Sequence, residues 1–328
     1  MADECMKLIF IGGFGRSGST LLGRMLGEIE GFSFIGELEY VWEQYFTDKQ
    51  PCGCGAPFAE CPFWEAVVEE AYGGFGSVDL DEVLDMKSGV DRMRYIPHLA
   101  FHGKGPLGLE SLAEYSHLLA RFYEAIKKVS GSRVVVDSSK VPAYAYTLAN
   151  VPGVDLYIVH LVRDSRAVAH SWLRKKVKHE IRAEKVHMDR HGTVNSSLGW
   201  MRTHLLTEPL KFVAPRGRYI KVLYEDLVED PGRVLAGITA AIGEDDADLS
   251  FVNGRKATLG ANHTIEGNPM RFERGEVELR LDDEWEKRME SADKRAVTAL
   301  TWPLLMRYGY PLRKACVLSK QRNPNESA

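Results

Sequence analysis

The fold is decided by the stretch Lys7-Leu8-Ile9-Phe10-Ile11 and the residues that follow it, Gly12-Gly13-Phe14-Gly15-Arg16-Ser17-Gly18-Ser19-Thr20. The apolar run before Gly12 is typical of a buried strand, and the closely spaced glycines mark a tight loop. Residues 21–30 then show helical patterning. The chain is therefore predicted to begin with a strand, a glycine-rich loop and a helix, in that order.

This loop has the glycine spacing of a phosphate-binding loop but lacks its lysine. Ser19 stands where the lysine that binds nucleoside triphosphates would be. The backbone N–H groups and the positive end of the helix still favour an anion by roughly 0.3–2 kcal/mol. Arg16 can add charge-assisted hydrogen bonds, and the hydroxyls of Ser17, Ser19 and Thr20 can donate as well. We expect an oxyanion site here, the alternative being a tight turn capped by serine.

Further apolar runs predict strands at residues 134–136, 156–162 and 219–223, each followed by helical patterning. Strands that alternate with helices indicate a three-layer α/β fold, with a central parallel sheet flanked by helices. We expect a single domain over residues 1–320 and a polar tail over residues 321–328.

A long segment, about residues 38–130, separates the first helix from the strand at 134, which is far more than a crossover connection needs. Apolar residues at helical spacing predict a packed helix near its end, over residues 110–129. We expect this mostly helical and irregular insertion to shape the pocket of an acceptor molecule. Its aromatic residues either line that pocket or anchor the insertion to the core.

Composition and charge exclude several classes of protein. The chain has 328 residues with 46 acidic and 42 basic side chains, a formal net charge of −4. This balance argues against broad nucleic-acid binding. No apolar run approaches the ~18 residues that a membrane span needs, and the N-terminal residues lack the apolar core of a signal peptide. We expect a cytoplasmic protein without a membrane span or a nucleic-acid partner.

The loop motif resembles the 5′-phosphosulfate loop of the sulfotransferases that use 3′-phosphoadenosine 5′-phosphosulfate (PAPS). A second motif supports the resemblance, because Arg163 and Ser171 have the spacing of the arginine and serine that bind the 3′-phosphate in that family. An arginine at a strand end and a serine two turns into the next helix can converge on one phosphate. Tyr224, in a Tyr-Glu-Asp segment, resembles the tyrosine near the adenine. The basic loop that closes over the 3′-phosphate has only Arg271 and Arg274 as candidates, because its usual Arg-Lys-Gly is absent.

The resemblance implies the following cofactor-binding residues: Gly15, Arg16, Ser17, Gly18, Ser19, Thr20, Arg163, Ser171, Tyr224, Arg271 and Arg274.

The resemblance also implies catalytic residues, namely Lys140, Glu37 and Arg16. Lys140 precedes a proline by two positions, like the catalytic lysine of the tyrosylprotein branch, and aligns with the catalytic histidine of the cytosolic small-molecule branch. A lysine beside an anionic cofactor is a poor base, so we expect Lys140 to stabilise the leaving or bridging oxygen. Glu37 resembles the glutamate base of the tyrosylprotein and some carbohydrate sulfotransferases. Asp137 and His263 are weaker alternatives for the base.

The expected function is therefore transfer of the sulfuryl group of PAPS to a hydroxyl of a small-molecule or carbohydrate acceptor. The alternatives are a P-loop small-molecule kinase and a catalytically silent nucleotide-binding protein. The cysteines Cys52, Cys54 and Cys61 have no evident fourth ligand for zinc in the sequence. The sequence therefore predicts reduced structural thiols or a disulfide there, and no metal.

Overall fold

The computed structural model describes residues 5–47, 50–100, 110–174, 177–178, 186–187, 191–215 and 217–312. The tail expected over residues 321–328 lies outside the described residues.

The strands are β1 Met6–Gly12, β2 Phe32–Gly36, β3 Val134–Lys140, β4 Val154–Val162, β5 Val177–Lys178, β6 Val186–His187, β7 Tyr219–Leu223, β8 Val252–Asn253, β9 Lys256–Leu259 and β10 Gly275–Glu278. The α-helices are α1 Ser19–Leu26, α2 Pro62–Tyr72, α3 Leu80–Val90, α4 Ile96–Ala100, α5 Glu110–Ser130, α6 Pro142–Leu148, α7 Ser165–Leu173, α8 Thr193–Thr207, α9 Leu210–Val213, α10 Tyr224–Glu229, α11 Pro231–Ala241, α12 Glu284–Arg288 and α13 Ser291–Arg307.

The central sheet has five strands in the order β2-β3-β1-β4-β7, and every pairing in it is parallel. The α/β fold with a parallel sheet is confirmed. The sequence prediction missed β2, an edge strand that follows α1 closely and pairs with β3 about a hundred residues later. Two short antiparallel groups, β8-β9-β10 and β5-β6, lie outside this sheet.

Strand β1 lies in the middle of the sheet and is buried on both faces, as an apolar run without alternation predicts. Leu8 and Phe10 belong to the core on one side, which includes the insertion and α5. Ile9 and Ile11 belong to the core on the other side, which includes α1 and α11. Because successive side chains of a strand point to opposite faces, β1 joins the two outer layers.

The insertion is helical and irregular, as expected. It contains α2 to α5 together with short 3₁₀ turns and a π-helical turn at Val41–Tyr45. Trp42, Phe58 and Trp64 are fully buried and pack against one another or against Phe122. These three aromatic residues belong to the same hydrophobic core as Leu8 and Phe10 of β1, and they therefore anchor the insertion to the sheet. Across the described residues, none of the helices combines the length and the apolar character that a bilayer crossing requires.

All the principal candidate residues follow the carboxyl ends of central strands. Arg16 follows β1, Glu37 follows β2, Lys140 ends β3, Arg163 follows β4 and Tyr224 follows β7. Because the strands are parallel, their carboxyl ends share one edge of the sheet, which is where ligands bind in such folds.

Candidate active site

A cavity of about 640 Å³ opens at this edge of the sheet. Ten of the residues proposed from the sequence line it: Gly15, Arg16, Gly18, Ser19, Thr20, Glu37, Lys140, Arg163, Ser171 and Tyr224. Ser17 is buried beside them but does not line the cavity. The roles of these residues stay predictions, but the structure brings them together from five strand ends.

The glycine-rich loop lies in close contact with two aromatic rings, those of Tyr224 and Trp172. Gly18 precedes α1 with a φ of +92°, and a Cβ there would lie 2.5 Å from a ring carbon of Tyr224. A Cβ on Gly15 would lie 2.8 Å from the ring of Trp172. Both positions therefore require glycine, and the loop directs the N-terminus of α1 at the cavity.

Arg16 lies against an aromatic ring and has an unpaired donor. Its guanidinium carbon lies 4.9 Å from the centre of the Trp172 ring. Its Nη1 is buried and has no hydrogen-bond partner among the described residues, nor does the nearby Ser17 Oγ. Burial lowers the pKa of Arg16, and the nearby Arg174 lowers it further. An oxyanion would satisfy these donors and restore the favourable environment for the charge.

Arg163 lies on the other side of the loop and is only 5% exposed. Its Nη1 donates to the Arg16 carbonyl at 2.8 Å, and its guanidinium carbon stacks 4.4 Å from the centre of the Tyr224 ring. Ser171 is buried on α7, so the spacing seen in the sequence does place both side chains at one cavity.

Asp282 is an acidic residue at the same place that the sequence did not indicate. Its Oδ2 lies 3.3 Å from Arg163 Nη2 and also pairs with Arg174. Burial acts to raise the pKa of Asp282, but the two guanidinium groups outweigh it and hold that pKa below its ordinary value. The Asp282 carboxylate therefore partly neutralises the two guanidinium groups, whose positive charge would otherwise attract an anionic ligand.

Glu37 and Lys140 form an ion pair at the centre of the cavity wall. Glu37 is 7% exposed, and burial raises the pKa of its carboxyl to about 7, although Lys140 acts against this shift. The ammonium of Lys140 also donates to the Ser138 carbonyl at 3.0 Å. The pair combines a carboxylate with a pKa near neutrality and an adjacent cation, which is a usable arrangement for proton transfer.

Backbone strain points to the same cavity. Among the described residues, those other than glycine with positive φ are Arg16 at +72°, Lys140 at +66° and Glu266 at +50°. All three line the cavity. Such conformations cost about 1–3 kcal/mol each and cluster at functional sites, because the surrounding structure must hold them in place.

Comparison with known proteins agrees with this geometry. A family model described as the sulfotransferase family matches residues 9–248. The chain belongs to the sulfotransferase family. The sulfotransferase domain of the olefin synthase from Synechococcus PCC 7002 is similar in fold, with 20% identity and a TM-score of 0.54 over 94% of this chain and 96% of that chain. The sulfotransferase domain of the curacin biosynthetic pathway has 16% identity and a TM-score of 0.55 over 94% of this chain and 99% of that one. No curated protein matches the sequence significantly.

Family membership makes the protein a sulfotransferase, and a PAPS-dependent one by family. It also explains the absence of the triphosphate-binding lysine at Ser19, which a P-loop kinase would need.

Two arginines expected at the cofactor do not line the cavity of this sulfotransferase. Arg271 is buried, and its guanidinium donates to the carbonyls of Thr264 and Pro51, each at 3.0 Å. Arg274 is exposed and donates to the Cys54 carbonyl at 3.3 Å. Both guanidinium groups are engaged by backbone oxygens of neighbouring loops, so this arrangement adds no support to the prediction that they bind the 3′-phosphate.

The two weaker candidates for the base also lie outside the cavity of the sulfotransferase. Asp137 is fully buried and accepts hydrogen bonds from Tyr123 and from the backbone N–H of Ser139, at 2.6 and 2.7 Å. His263 stacks on Phe63, with ring centres 4.8 Å apart. Among the three carboxylate and imidazole candidates, Glu37 alone lines the cavity.

Sequence reasoning missed several residues that complete the wall of the sulfotransferase cavity. Tyr40, Gln44 and Met93 come from the insertion, and Gly267 and Asn268 come from a later loop. The backbone N–H of Asn268 donates to Thr20 Oγ1 at 3.2 Å, which brings that loop against the N-terminus of α1. No local motif marks Tyr40, Gln44 and Met93, whereas Gly267 and Asn268 begin the segment at 267–275 that resembles the family's loop over the 3′-phosphate.

Proposed function

We propose that this sulfotransferase transfers the sulfuryl group of PAPS to a hydroxyl, rather than an amine, of a small-molecule or carbohydrate acceptor. One observation carries the proposal: the anion-binding loop, the Arg163 and Ser171 pair and the Glu37–Lys140 ion pair face a single cavity.

The buried polar atoms of the site fit a polyanionic donor. Arg16 Nη1, Ser17 Oγ and Arg163 Nε are buried without hydrogen-bond partners among the described residues. Each of these groups can donate to a phosphate or sulfate oxygen. In the proposal the loop holds the 5′-phosphosulfate, Arg163 and Ser171 hold the 3′-phosphate, and Tyr224 lies against the adenine. PAPS, when bound, supplies an activated sulfuryl group for transfer to the acceptor oxygen.

Glu37 and Lys140 have different roles in the proposed reaction, namely proton removal and charge stabilisation. The Glu37 carboxylate, with its pKa at about 7, can take the proton from the acceptor hydroxyl near neutral pH. The Lys140 ammonium and Arg16 stabilise negative charge on the bridging and sulfuryl oxygens. Because Lys140 is already paired with Glu37, the same cation favours the ionised form of the base and opposes the effect of burial on its pKa.

We propose that the acceptor binds on the side of the cavity that the insertion forms. Tyr40 and Gln44 offer hydrogen bonds to a polar acceptor, and Met93 offers an adaptable apolar contact. This lining suits a hydroxylated small molecule better than a purely apolar one. We place the enzyme in the cytoplasm, since the cysteines in the described part of the chain are free thiols.

The donor is tested by thermal shift with 3′,5′-adenosine bisphosphate, ATP–Mg²⁺ and GTP–Mg²⁺. A ligand at a hundred times its Kd stabilises the native state by about 2.7 kcal/mol, which raises the melting temperature measurably. We expect stabilisation by the bisphosphate alone. Stabilisation by the triphosphates alone would sink the proposal.

Catalysis is tested separately from binding with Lys140→Ala. We expect this change to lower turnover much more than the affinity for the bisphosphate, because Lys140 acts on the reacting oxygens and other groups hold the nucleotide. A silent nucleotide-binding protein would show no turnover before or after the substitution.

A further inference from the structure

Three cysteines and one histidine form a cluster outside the active-site cavity. Cys52, Cys54 and Cys61 come from the start of the insertion, and His263 comes from a loop about two hundred residues later. Their ligand atoms all lie within 4.8 Å of one another. The fourth ligand that the cysteine spacing lacked in the sequence is therefore supplied by the fold.

Three of the six distances between these atoms are close to those of tetrahedral coordination, and all six are within 4.8 Å. With Zn–S bonds of about 2.3 Å and a Zn–N bond of about 2.05 Å, tetrahedral geometry places two sulfurs about 3.8 Å apart and a sulfur and a nitrogen about 3.5 Å apart. Cys54 Sγ and Cys61 Sγ are 3.7 Å apart. His263 Nδ1 lies 3.7 Å from Cys52 Sγ and 3.3 Å from Cys61 Sγ.

The surrounding structure holds the ligands in this arrangement. The Gly53 backbone N–H donates to the Thr264 carbonyl, and the Trp64 indole N–H donates to the His263 carbonyl, each at 2.8 Å. A Cβ at Gly53 would lie 1.9 Å from the Asn262 side-chain oxygen, so any larger residue at position 53 would displace the Asn262 side chain. The stacked ring of Phe63 fixes the imidazole plane.

We propose that Cys52, Cys54, Cys61 and His263 bind a structural zinc ion. Three sulfurs and one imidazole nitrogen are a common ligand set for closed zinc sites, and four protein ligands leave no position for a substrate. Binding would release the thiol protons and leave three thiolates on the metal, without any redox step. A disulfide between two of the cysteines would not account for the third thiol and the imidazole that lie in the same cluster.

The zinc would connect the insertion to the loop that borders the active site. Ile265, two residues after His263, exchanges backbone hydrogen bonds with the segment of Ile35 and Glu37. Gly267 and Asn268 follow directly and line the cavity. The metal would thus fix one wall of the site through His263, while taking no part in the reaction.

The first test is the metal content of the full-length wild-type protein, purified with a non-chelating reductant and no added metal. We expect about one zinc per chain by inductively coupled plasma mass spectrometry. Replacement by Co²⁺ should give the strong near-ultraviolet absorption of thiolate ligands and the visible bands of tetrahedral cobalt. Metal-free protein with three reactive thiols in the cluster, a disulfide found by peptide mass spectrometry, or iron in place of zinc would each overturn the proposal.

Variants then locate the metal. Cys54→Ser and His263→Ala should each lose zinc to a chromophoric chelator much faster than wild type. His263→Cys should retain it, since a fourth thiolate preserves the coordination. Cys5→Ser is the matched control, because Cys5 is an exposed thiol outside the cluster. Unchanged zinc affinity in both Cys54→Ser and His263→Ala would show that the metal binds elsewhere. If these variants fail to fold, the wild-type metal content and cobalt spectrum still decide.

Discussion

The replacement Glu37→Gln tests the assignment of the base most directly. Glutamine has nearly the same shape and can still accept a hydrogen bond from Lys140, but it cannot take a proton from an acceptor hydroxyl. Glu37 lines the cavity and is 7% exposed, so the substitution changes one buried group and leaves the entrance of the cavity as it is.

The expected magnitude follows from the pKa of about 7 that burial gives Glu37. The ionised carboxylate is the active form, so kcat/KM of the wild type should rise about tenfold per pH unit below neutrality and become level above it. Loss of a general base costs about 10²- to 10⁴-fold in rate. The glutamine variant should fall by that factor on the level part of the profile, and it should lack the rising limb.

The assay follows formation of 3′,5′-adenosine bisphosphate from PAPS with the best hydroxyl acceptor from a panel, between pH 5.5 and 9. Glu39→Gln is the matched control, because Glu39 is also a buried glutamate with a raised pKa but pairs with Lys87 outside the cavity. Lys87 keeps Glu43 as a partner in that control. If Glu37→Gln keeps the rising limb and a nearly normal rate, another group is the base and the reasoning is refuted.

Two further predictions concern the candidate 3′-phosphate site and are measured by isothermal titration with 3′,5′-adenosine bisphosphate. Arg163→Ala should raise Kd by roughly 10- to 150-fold, which corresponds to the ~1.5–3 kcal/mol of a charge-assisted hydrogen bond. Arg274→Ala should leave Kd unchanged, because Arg274 lies outside the cavity. Equal effects of the two substitutions would reject the assignment of Arg163 to the 3′-phosphate. Asp282→Asn should lower Kd by roughly tenfold at low salt, since it removes a carboxylate beside Arg163. Unchanged or weaker binding would show that Asp282 does not compete with the ligand.

The parts of the site that could be predicted from the sequence are those carried by consecutive residues. The loop before α1 connects one strand directly to the next helix, and so does the turn between Arg163 and Ser171. Local spacing therefore determines which side chains come together at each of these two turns. Strand β1 is similar, since its unbroken apolar run indicates a strand buried on both faces.

The parts that could not be predicted depend on contacts between distant segments. Strand β2 is only five residues long and becomes a strand by pairing with β3, far along the chain. Asp282 reaches Arg163 from a loop that carries no motif. The sequence marks His263 only as a weak candidate for the base, because nothing near it in the chain indicates the three cysteines that surround it in the fold.

The arginines show most clearly what the fold adds to the sequence. Arg271 and Arg16 are both basic residues in glycine-containing loops, and both suit an anion by type. The guanidinium of Arg271 donates to backbone carbonyls of two different loops. Arg16 instead keeps a buried nitrogen without a partner beside a helix N-terminus. Leaving a buried donor unpaired costs about 1–3 kcal/mol, and an anion in the cavity would supply the acceptor that Arg16 lacks. The engaged guanidinium of Arg271 supports two neighbouring loops, whereas the unpaired Nη1 of Arg16 at the cavity is the physical reason for predicting that an anion binds there.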